Sequence, residues 1–285
     1  MSKFKCFHII IIVGFLLSLI SCEKENPFDD PTIVVDTTIV KVDTTINQTD
    51  TFIINIDTTI IHDWTCRLDQ IEYPDSKIWY HGANTIEKAI EKSKKFSGLE
   101  LDVNFDRNSN NMYICHNIED TVLGLTIEEW FESLPNPASN YFWIDFKNLH
   151  IDYAHLACEK LLAIIHKYNL ENRIWVEFYN IPELEIVKQH GIYTILTVEN
   201  SDYQSYNLFI WQYFLLGKIS HLKPEAIGCD HTMYKNLTNF FSNYHIFLWH
   251  STLIYTDEYA ATTREMCQHP AVKVVLVDYE EPIDY

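Results

Sequence analysis

From residue 77 to the end of the chain, short apolar segments typical of buried strands alternate with amphipathic segments typical of helices. The predicted strands are 77–82, 98–105, 112–116, 141–146, 173–178, 193–198, 226–230, 245–250 and 272–278. The predicted helices are 85–96, 126–134, 151–168, 182–190, 207–216, 234–243 and 257–267. This alternation predicts βα units around a parallel sheet, and eight units in a chain of this length are typical of a TIM (β/α)8-type barrel.

The pattern contains one strand more than such a barrel needs. The polar stretch NSNN (108–111) lies between segments 98–105 and 112–116, and this short spacing favours a hairpin over a βα unit. Capping boxes are expected at Asn84 with Glu87, and at Thr126 with Glu129. A dinucleotide-binding sheet is disfavoured, because the glycine-rich GxGxxG motif is absent.

The first residues predict a targeting segment that is not part of the fold. Lys3 and Lys5 precede a short apolar run at 9–20, which is too short for a good membrane span. The run ends in Leu-Ile-Ser-Cys and resembles a bacterial lipobox, so residues 1–21 are predicted to be a lipoprotein signal peptide and Cys22 the lipidated residue. An ordinary signal peptide or an anchor helix is the alternative. The acidic stretch after Cys22 resembles the export tag of surface lipoproteins in the Bacteroidetes, which implies an outer-membrane protein facing the periplasm or the exterior.

Residues 22–63 are predicted to form an acidic start and an extended stalk. Residues 35–62 divide into four heptads, VDTTIVK, VDTTINQ, TDTFIIN and IDTTIIH. A period of seven is typical of a coiled coil, but β-branched residues dominate here and helix-favouring faces are absent, so an extended spacer is favoured. The catalytic question therefore concerns residues 64–285.

Charge and cysteine content exclude several classes of protein. The formal net charge of −19 argues against non-specific nucleic-acid binding, which needs a basic surface. Once Cys6 leaves with the signal peptide and Cys22 carries lipid, five of the seven cysteines remain. An odd number without CxxC spacing argues against a zinc site, and the spacing does not select a disulfide pair. No feature of the sequence indicates the oligomeric state.

Polar residues cluster at or near the C-terminal ends of the predicted strands. They are His81, Glu100, Asp102, His116, Asp145 and Lys147. Residues two apart on a strand share a face, so each of the two spaced pairs is expected to point into the barrel. The C-terminal end of the barrel is where active sites of this fold are built.

These residue types suit a cation-dependent reaction. Three carboxylates, Glu100, Asp102 and Asp145, are oxygen ligands that favour Mg²⁺ or Ca²⁺ over zinc. The two histidines could supply a general acid and a general base, and Lys147 could hold a phosphate oxygen. Each residue also has a simpler interpretation, because strand ends often carry structural histidines and solvated carboxylates. Asn84 is expected to cap a helix first and to bind a ligand second.

The order of these residues resembles the phospholipase C-like phosphodiesterase superfamily, which includes glycerophosphodiester phosphodiesterases and sphingomyelinase D toxins. The shared pattern is a histidine after the first strand, Glu-x-Asp on the second, a histidine after the third and acid-x-Lys on the fourth. The stretches IWYHGANTIEKAI, LELDV, ICHN, LTIEEWFESL and WIDFKNL, over roughly residues 77–150, are most similar to the menorin family, a branch of that superfamily. Trp249 near the predicted barrel mouth also agrees with it. Two positions depart from the glycerophosphodiesterase pattern: Gly82 follows His81 where an arginine is usual, and Asp145 replaces the usual glutamate.

The resemblance implies a phosphoric diester hydrolase or lyase acting on a lipid headgroup or a glycerophosphodiester. It implies catalysis by His81 and His116, a divalent cation held by Glu100, Asp102 and Asp145, and substrate contacts from Lys147, Asn84 and Trp249. One alternative is a non-catalytic, surface-displayed barrel that binds a glycan, a lipid or a protein. Another is a glycoside hydrolase that uses Glu100 or Asp102 together with Glu177.

Overall fold

The computed structural model describes residues 68–198, 208–252 and 255–285, without the side chains of 121–123 and 208–210. The predicted signal peptide, the lipidation site at Cys22 and the stalk lie outside the described residues. The predicted domain boundary at residue 64 lies outside them as well.

Eight parallel strands close into a barrel. The strands of the sheet are β1 (Ile78–Tyr80), β2 (Gly98–Asp106), β3 (Asn111–Ile114), β4 (Tyr141–Phe146), β5 (Ile174–Phe178), β6 (Tyr193–Val198), β7 (Ala226–Asp230), β8 (Ile246–His250) and β9 (Val272–Val277). The ring closes because β1 pairs in parallel with both β9 and β2. The predicted TIM-type barrel is thereby confirmed.

The ninth strand, β3, is the extra one. It pairs antiparallel with β2 and stands at the end of the strand order, where Tyr113 forms an isolated antiparallel bridge with Thr126. Asn110 turns the chain between them in the left-handed conformation at φ 58°, which asparagine adopts more readily than most residues. The predicted hairpin is therefore confirmed.

Helices connect the parallel strands around the outside of the barrel. In the described part of the chain they are α1 (Ile86–Lys92), α2 (Ile127–Ser133), α3 (Ala154–Tyr168), α4 (Ile181–Gln189), α5 (Leu208–Leu222), α6 (Tyr234–Phe240) and α7 (Asp257–Gln268). The capping box of Thr126 and Glu129 is confirmed at the start of α2. The one predicted at Asn84 is wrong, because the side chain of Thr85 caps α1.

Residues 278–285, which follow β9, are described without a helix and run along the outside of the barrel. Asp278, at the C-terminal end of β9, lies beside His81, whereas the hydroxyl of Tyr285 donates to the carbonyl of Asp75, which precedes β1. The chain thus returns along the outside of the barrel from one end to the other. It is held midway by an ion pair between Glu280 and Lys92, a lysine that is only 2% exposed.

Alternation along the strands produces two apolar layers. One fills the barrel and comprises Trp79, Trp143, Trp175, Ile195, Ala226, Phe247, Val274 and Leu276. The other, which includes Leu99, Leu101 and Val103, lies in the larger outer core. Gly98 is needed at the start of β2, because a Cβ there would lie 2.1 Å from Cδ2 of Trp79. Apolar side chains therefore fill the barrel interior.

The described cysteines form no disulfide. Cys115, Cys158, Cys229 and Cys267 are buried free thiols, and Cys66 lies outside the described residues. Among the described helices, none combines the length and the apolar character needed to cross a bilayer.

Candidate active site

Three carboxylates meet at the C-terminal end of the barrel. Each of Glu100, Asp102 and Asp145 offers an oxygen that lies within 4.8 Å of the oxygens of the other two. Asp102 and Asp145 are direct register partners on β2 and β4, and Glu100 precedes Asp102 on the same face of β2. Leu101 between them packs into the outer core, as the alternation predicts.

Lys147 lies between two of these carboxylates. Its Nζ is 2.7 Å from Oδ1 of Asp102 and 2.5 Å from Oδ2 of Asp145. Burial opposes ionisation of Asp102, but the charge and hydrogen bond of Lys147 outweigh it and lower the pKa of Asp102. Burial likewise opposes the charge on Lys147, yet both carboxylates together raise the pKa of Lys147. The ammonium therefore occupies a place that favours positive charge.

Glu100 is the most deeply buried of the three carboxylates, at 2% exposed. Its Oε2 accepts a hydrogen bond of 2.6 Å from the backbone N–H of Gly82, which has φ 70°. Burial first, and then the nearby charge of Asp102, raise the pKa of Glu100 to about 8. This group of three carboxylates is a fitting donor set for a hard divalent cation, because such ions prefer oxygen ligands.

His81 is held by an acid that the sequence did not reveal. Its Nδ1 lies 2.8 Å from Oδ1 of Asp278 and 3.3 Å from the hydroxyl oxygen of Ser251. The other oxygen of Asp278 accepts a 2.8 Å hydrogen bond from the backbone N–H of Thr252. The second ring nitrogen of His81, Nε2, lies 3.8 Å from Oε2 of Glu100 and so faces the carboxylate group.

The environment of His81 favours its charged form. Burial alone would lower the pKa, but the hydrogen bond to Asp278 and the charge of Glu100 raise the pKa of His81 to about 9. One signal for Asp278 was available, because it ends the predicted strand 272–278 and follows the interior residue Leu276 by two positions.

His116 lies beside the carboxylates, next to Asp102. It follows β3, and its Nδ1 lies 3.3 Å from Oδ2 of Asp102. Its side chain is 66% exposed, so it borders the barrel mouth. The side-chain amide of Asn104 ties this segment down by donating to the carbonyl of Cys115 at 2.7 Å.

Asn84 supports Asp102 instead of capping a helix. Its Nδ2 donates to Oδ2 of Asp102 at 2.6 Å, and its Oδ1 accepts from the backbone N–H of Asp102 at 2.9 Å. This pair of bonds fixes both the backbone and the carboxylate of Asp102. Trp249, near the end of β8, is partly buried and packs against the barrel interior. Substrate contacts from Asn84 and Trp249 stay predictions.

Glu177 on β5 is a further buried acid beside this group. It is 5% exposed, and it is the register partner of Asp145. Its Oε2 accepts from Nε1 of Trp143 at 2.6 Å, and its Oε1 accepts from the hydroxyl of Thr197 at 2.9 Å. With both oxygens occupied, Glu177 is poorly placed to attack a sugar, which argues against the glycoside hydrolase alternative.

Comparison with known proteins adds the fold class. No protein-family profile matches the sequence, and no curated protein matches it either. Solved structures do match. A protein from Silicibacter pomeroyi assigned as a glycerophosphoryl diester phosphodiesterase has a TM-score of 0.55 and 12% identity, over 75% of this chain and 94% of that one. A protein from Agrobacterium tumefaciens with the same assignment has a TM-score of 0.54 and 11% identity, over 72% and 94%.

A third match is a glycerophosphodiester phosphodiesterase from Parabacteroides distasonis, with a TM-score of 0.53 and 11% identity over 73% of this chain and 94% of that one. The described residues thus form a TIM-type barrel with an acidic centre at its C-terminal end. More particularly, the chain has the barrel fold of solved glycerophosphodiester phosphodiesterases.

Proposed function

We propose that this protein is a phosphoric diester hydrolase or lyase that depends on a divalent cation, Mg²⁺ or Ca²⁺, and uses His81 and His116 as acid and base. The substrate class is a phosphodiester such as a lipid headgroup or a glycerophosphodiester. The observation that carries the proposal is the convergence of two histidines, three carboxylates and one lysine from β1, β2, β3 and β4. The barrel fold, which this chain shares with solved structures assigned as phosphodiesterases, supports the proposal.

Glu100, Asp102 and Asp145 would hold the cation. When bound, the ion would offset negative charge on the phosphodiester oxygens as the reaction proceeds. Asn84 and the N–H of Gly82 orient two of these carboxylates before any ligand arrives, since each donates a 2.6 Å hydrogen bond. Lys147 would offer its Nζ to a phosphate oxygen, because its ammonium already lies beside Asp102 and Asp145.

The two histidines would divide the proton transfers. Asp278 holds Nδ1 of His81, which leaves Nε2 directed toward the carboxylates and free to take or give a proton. His116 lies beside Asp102 and would serve the opposite transfer. One removes a proton from the attacking oxygen, and the other delivers a proton to the leaving oxygen. An attacking water gives hydrolysis, whereas an attacking substrate hydroxyl gives a cyclic phosphate.

The test is turnover by the purified full chain on glycerophosphodiesters, lysophospholipids and a chromogenic diester, each with Mg²⁺, with Ca²⁺ and with chelator. His81→Ala and His116→Ala should each lower kcat by roughly 100-fold or more. The matched control is His155→Ala, an exposed histidine on α3 that pairs with His190 and should leave kcat unchanged. Phosphorus NMR of the products separates a monoester from a cyclic phosphate.

Two outcomes would contradict the proposal. Turnover that persists in chelator would remove the cation, and full activity in both histidine variants would remove the acid–base pair. Absence of turnover on every diester, together with failure to bind either ion, would favour the alternative of a non-catalytic, surface-displayed barrel.

We further propose that the chain is an outer-membrane lipoprotein anchored through Cys22. The lipobox-like segment at 19–22 supports this proposal. Mass spectrometry of the mature N-terminus should find a diacylglyceryl cysteine, and Cys22→Ala should move the protein from the membrane fraction to the soluble fraction. An unmodified Cys22 in the mature chain would contradict it.

A further inference from the structure

One buried carboxylate beside the cation centre has no part in the chemistry above. Asp102, Asp145 and Glu177 are successive register partners on β2, β4 and β5, so three neighbouring strands each place an acid at one level of the barrel. Adjacent strands lie about 4.8 Å apart, so Glu177 is next to Asp145. It is nevertheless outside the group of oxygens that lie within 4.8 Å of one another.

Each oxygen of Glu177 already accepts a hydrogen bond from a neighbouring side chain. Trp143 and Thr197 donate to its two oxygens, and both contacts are shorter than 3 Å. The backbone of Gly228 also lies close to the side chain of Glu177. A Cβ on Gly228 would lie 3.1 Å from Oε1 of Glu177 and 2.8 Å from Cγ2 of Ile195.

The need for hydrogen bonds does not explain a charged group here. In the same interior, Nε1 of Trp79 and Nε1 of Trp175 are buried without a partner, so the fold tolerates unpaired indole N–H groups. A glutamine at 177 would also satisfy both neighbours, since its oxygen can accept from Trp143 and its amide can donate to Thr197. Glu177 is only 5% exposed, and burying a charged carboxylate costs more free energy than burying an amide, so a carboxylate is the less stable choice in the cation-free protein.

We propose that Glu177 is a positioning residue of the cation centre, a fourth carboxylate that strengthens binding of the divalent ion from behind Asp145 without touching it. This inference rests on the cation centre of the proposed function. A negative charge one strand away from the ligands attracts the ion through the dry barrel interior, where charges are weakly screened. Substitution of a residue that contacts the metal ligands without binding the metal commonly changes metal affinity by about 10- to 100-fold.

The test measures binding of Ca²⁺ alone and of Mg²⁺ alone to the full chain by isothermal titration calorimetry. Every variant is titrated in the same buffer at the same pH. Glu177→Gln should raise the Kd about tenfold or more. Glu177→Asp keeps the charge and should bind more tightly than the glutamine variant. The matched control is Glu183→Gln on α4, another glutamate that is buried (7% exposed) but lies outside the barrel interior, and it should leave the Kd unchanged.

Thermal unfolding provides a readout that a purely structural role would move in the opposite direction. With chelator, Glu177→Gln should unfold at the same or a higher temperature than the wild type, and the rise in Tm on adding the ion should be smaller. A lower Tm in chelator together with a Kd within about twofold of wild type would overturn the inference. Failure of the wild type to bind either ion up to about 10 mM, above the usual range of protein calcium sites, would instead remove the cation centre itself.

Discussion

Oδ1 of Asp278 lies 2.8 Å from Nδ1 of His81, although 197 residues separate them in the chain. The two meet because β9 closes the barrel against β1. An acid on one imidazole nitrogen selects the tautomer and the direction of the other nitrogen, so His81 enters the site with Nε2 toward Glu100. This contact leads to the first prediction.

Asp278→Asn should lower kcat by roughly 100-fold or more, because the amide retains the shape but no longer stabilises the imidazolium. Since Asp278 raises the pKa of His81, the variant should also show a lower pKa for that ring. Histidine NMR titration measures the pKa separately from activity. Ser251→Ala is the control, because the hydroxyl contact is longer at 3.3 Å and its loss should change kcat much less. Equal effects of the two substitutions would contradict a specific role for Asp278.

Lys147→Met should destabilise the cation-free protein by about 3 kcal/mol, because it leaves Asp102 and Asp145 without their buried counter-charge. Added Ca²⁺ should restore more stability to this variant than to the wild type, since the ion can replace the lost charge. Urea unfolding with and without Ca²⁺ measures both effects. Lys235→Met breaks only an exposed pair with Glu265 and should cost less than about 0.5 kcal/mol. Equal losses of unfolding free energy in the two variants would show that Asp102 and Asp145 do not need the counter-charge of Lys147.

His245 should make stability depend on pH at the opposite end of the barrel. It is 5% exposed, its Nδ1 meets the hydroxyl of Tyr73 at 2.8 Å, and burial followed by the charge of Lys273 lowers its pKa to about 3. The unfolded chain therefore binds more protons below pH 6.5, so this residue's contribution is present above that pH. It is lost as the pH falls from about 6.5 toward about 3, by at most about 1.4 kcal/mol per pH unit.

Urea unfolding of wild type and His245→Gln between about pH 7 and pH 5 checks this prediction. The difference between the two proteins isolates the histidine from the carboxylates that titrate in the same range. The free energy of unfolding should fall more steeply in the wild type. Parallel curves would mean that the pKa of His245 is the same in the folded and the unfolded protein, which would contradict the prediction.

Gly98→Ala should destabilise the protein by about 2 kcal/mol or more, because the new Cβ would overlap the Trp79 ring at the floor of the barrel. Gly217→Ala on α5 is the matched control, since nothing lies within 4 Å of the position and alanine favours a helix by about 1 kcal/mol. Differential scanning calorimetry should therefore show Tm shifts of opposite sign. A neutral Gly98→Ala would mean that the indole can move aside.

Local patterns determined most of the fold. Strand alternation predicted the barrel, the polar turn at 108–111 predicted the β2–β3 hairpin, and Thr126 with Glu129 predicted the start of α2. The same alternation predicted that Glu100 and Asp102 share an inward face, because side-chain direction along a strand depends on local geometry alone. Helix ends were less certain: α5 continues to Leu222, six residues beyond its predicted end at 216.

Tertiary structure decided what these side chains contact. Asn84 has the sequence context of a helix cap, but the packing of β1 against β2 brings it to Asp102, and Thr85 caps the helix. Asp278 and Glu177 reach the centre only because the sheet closes and its register aligns β5 with β4. A sequence specifies propensity and facing direction over a few neighbouring residues. Partners far apart in the chain are selected by strand register and barrel closure, which depend on the packing of the whole interior.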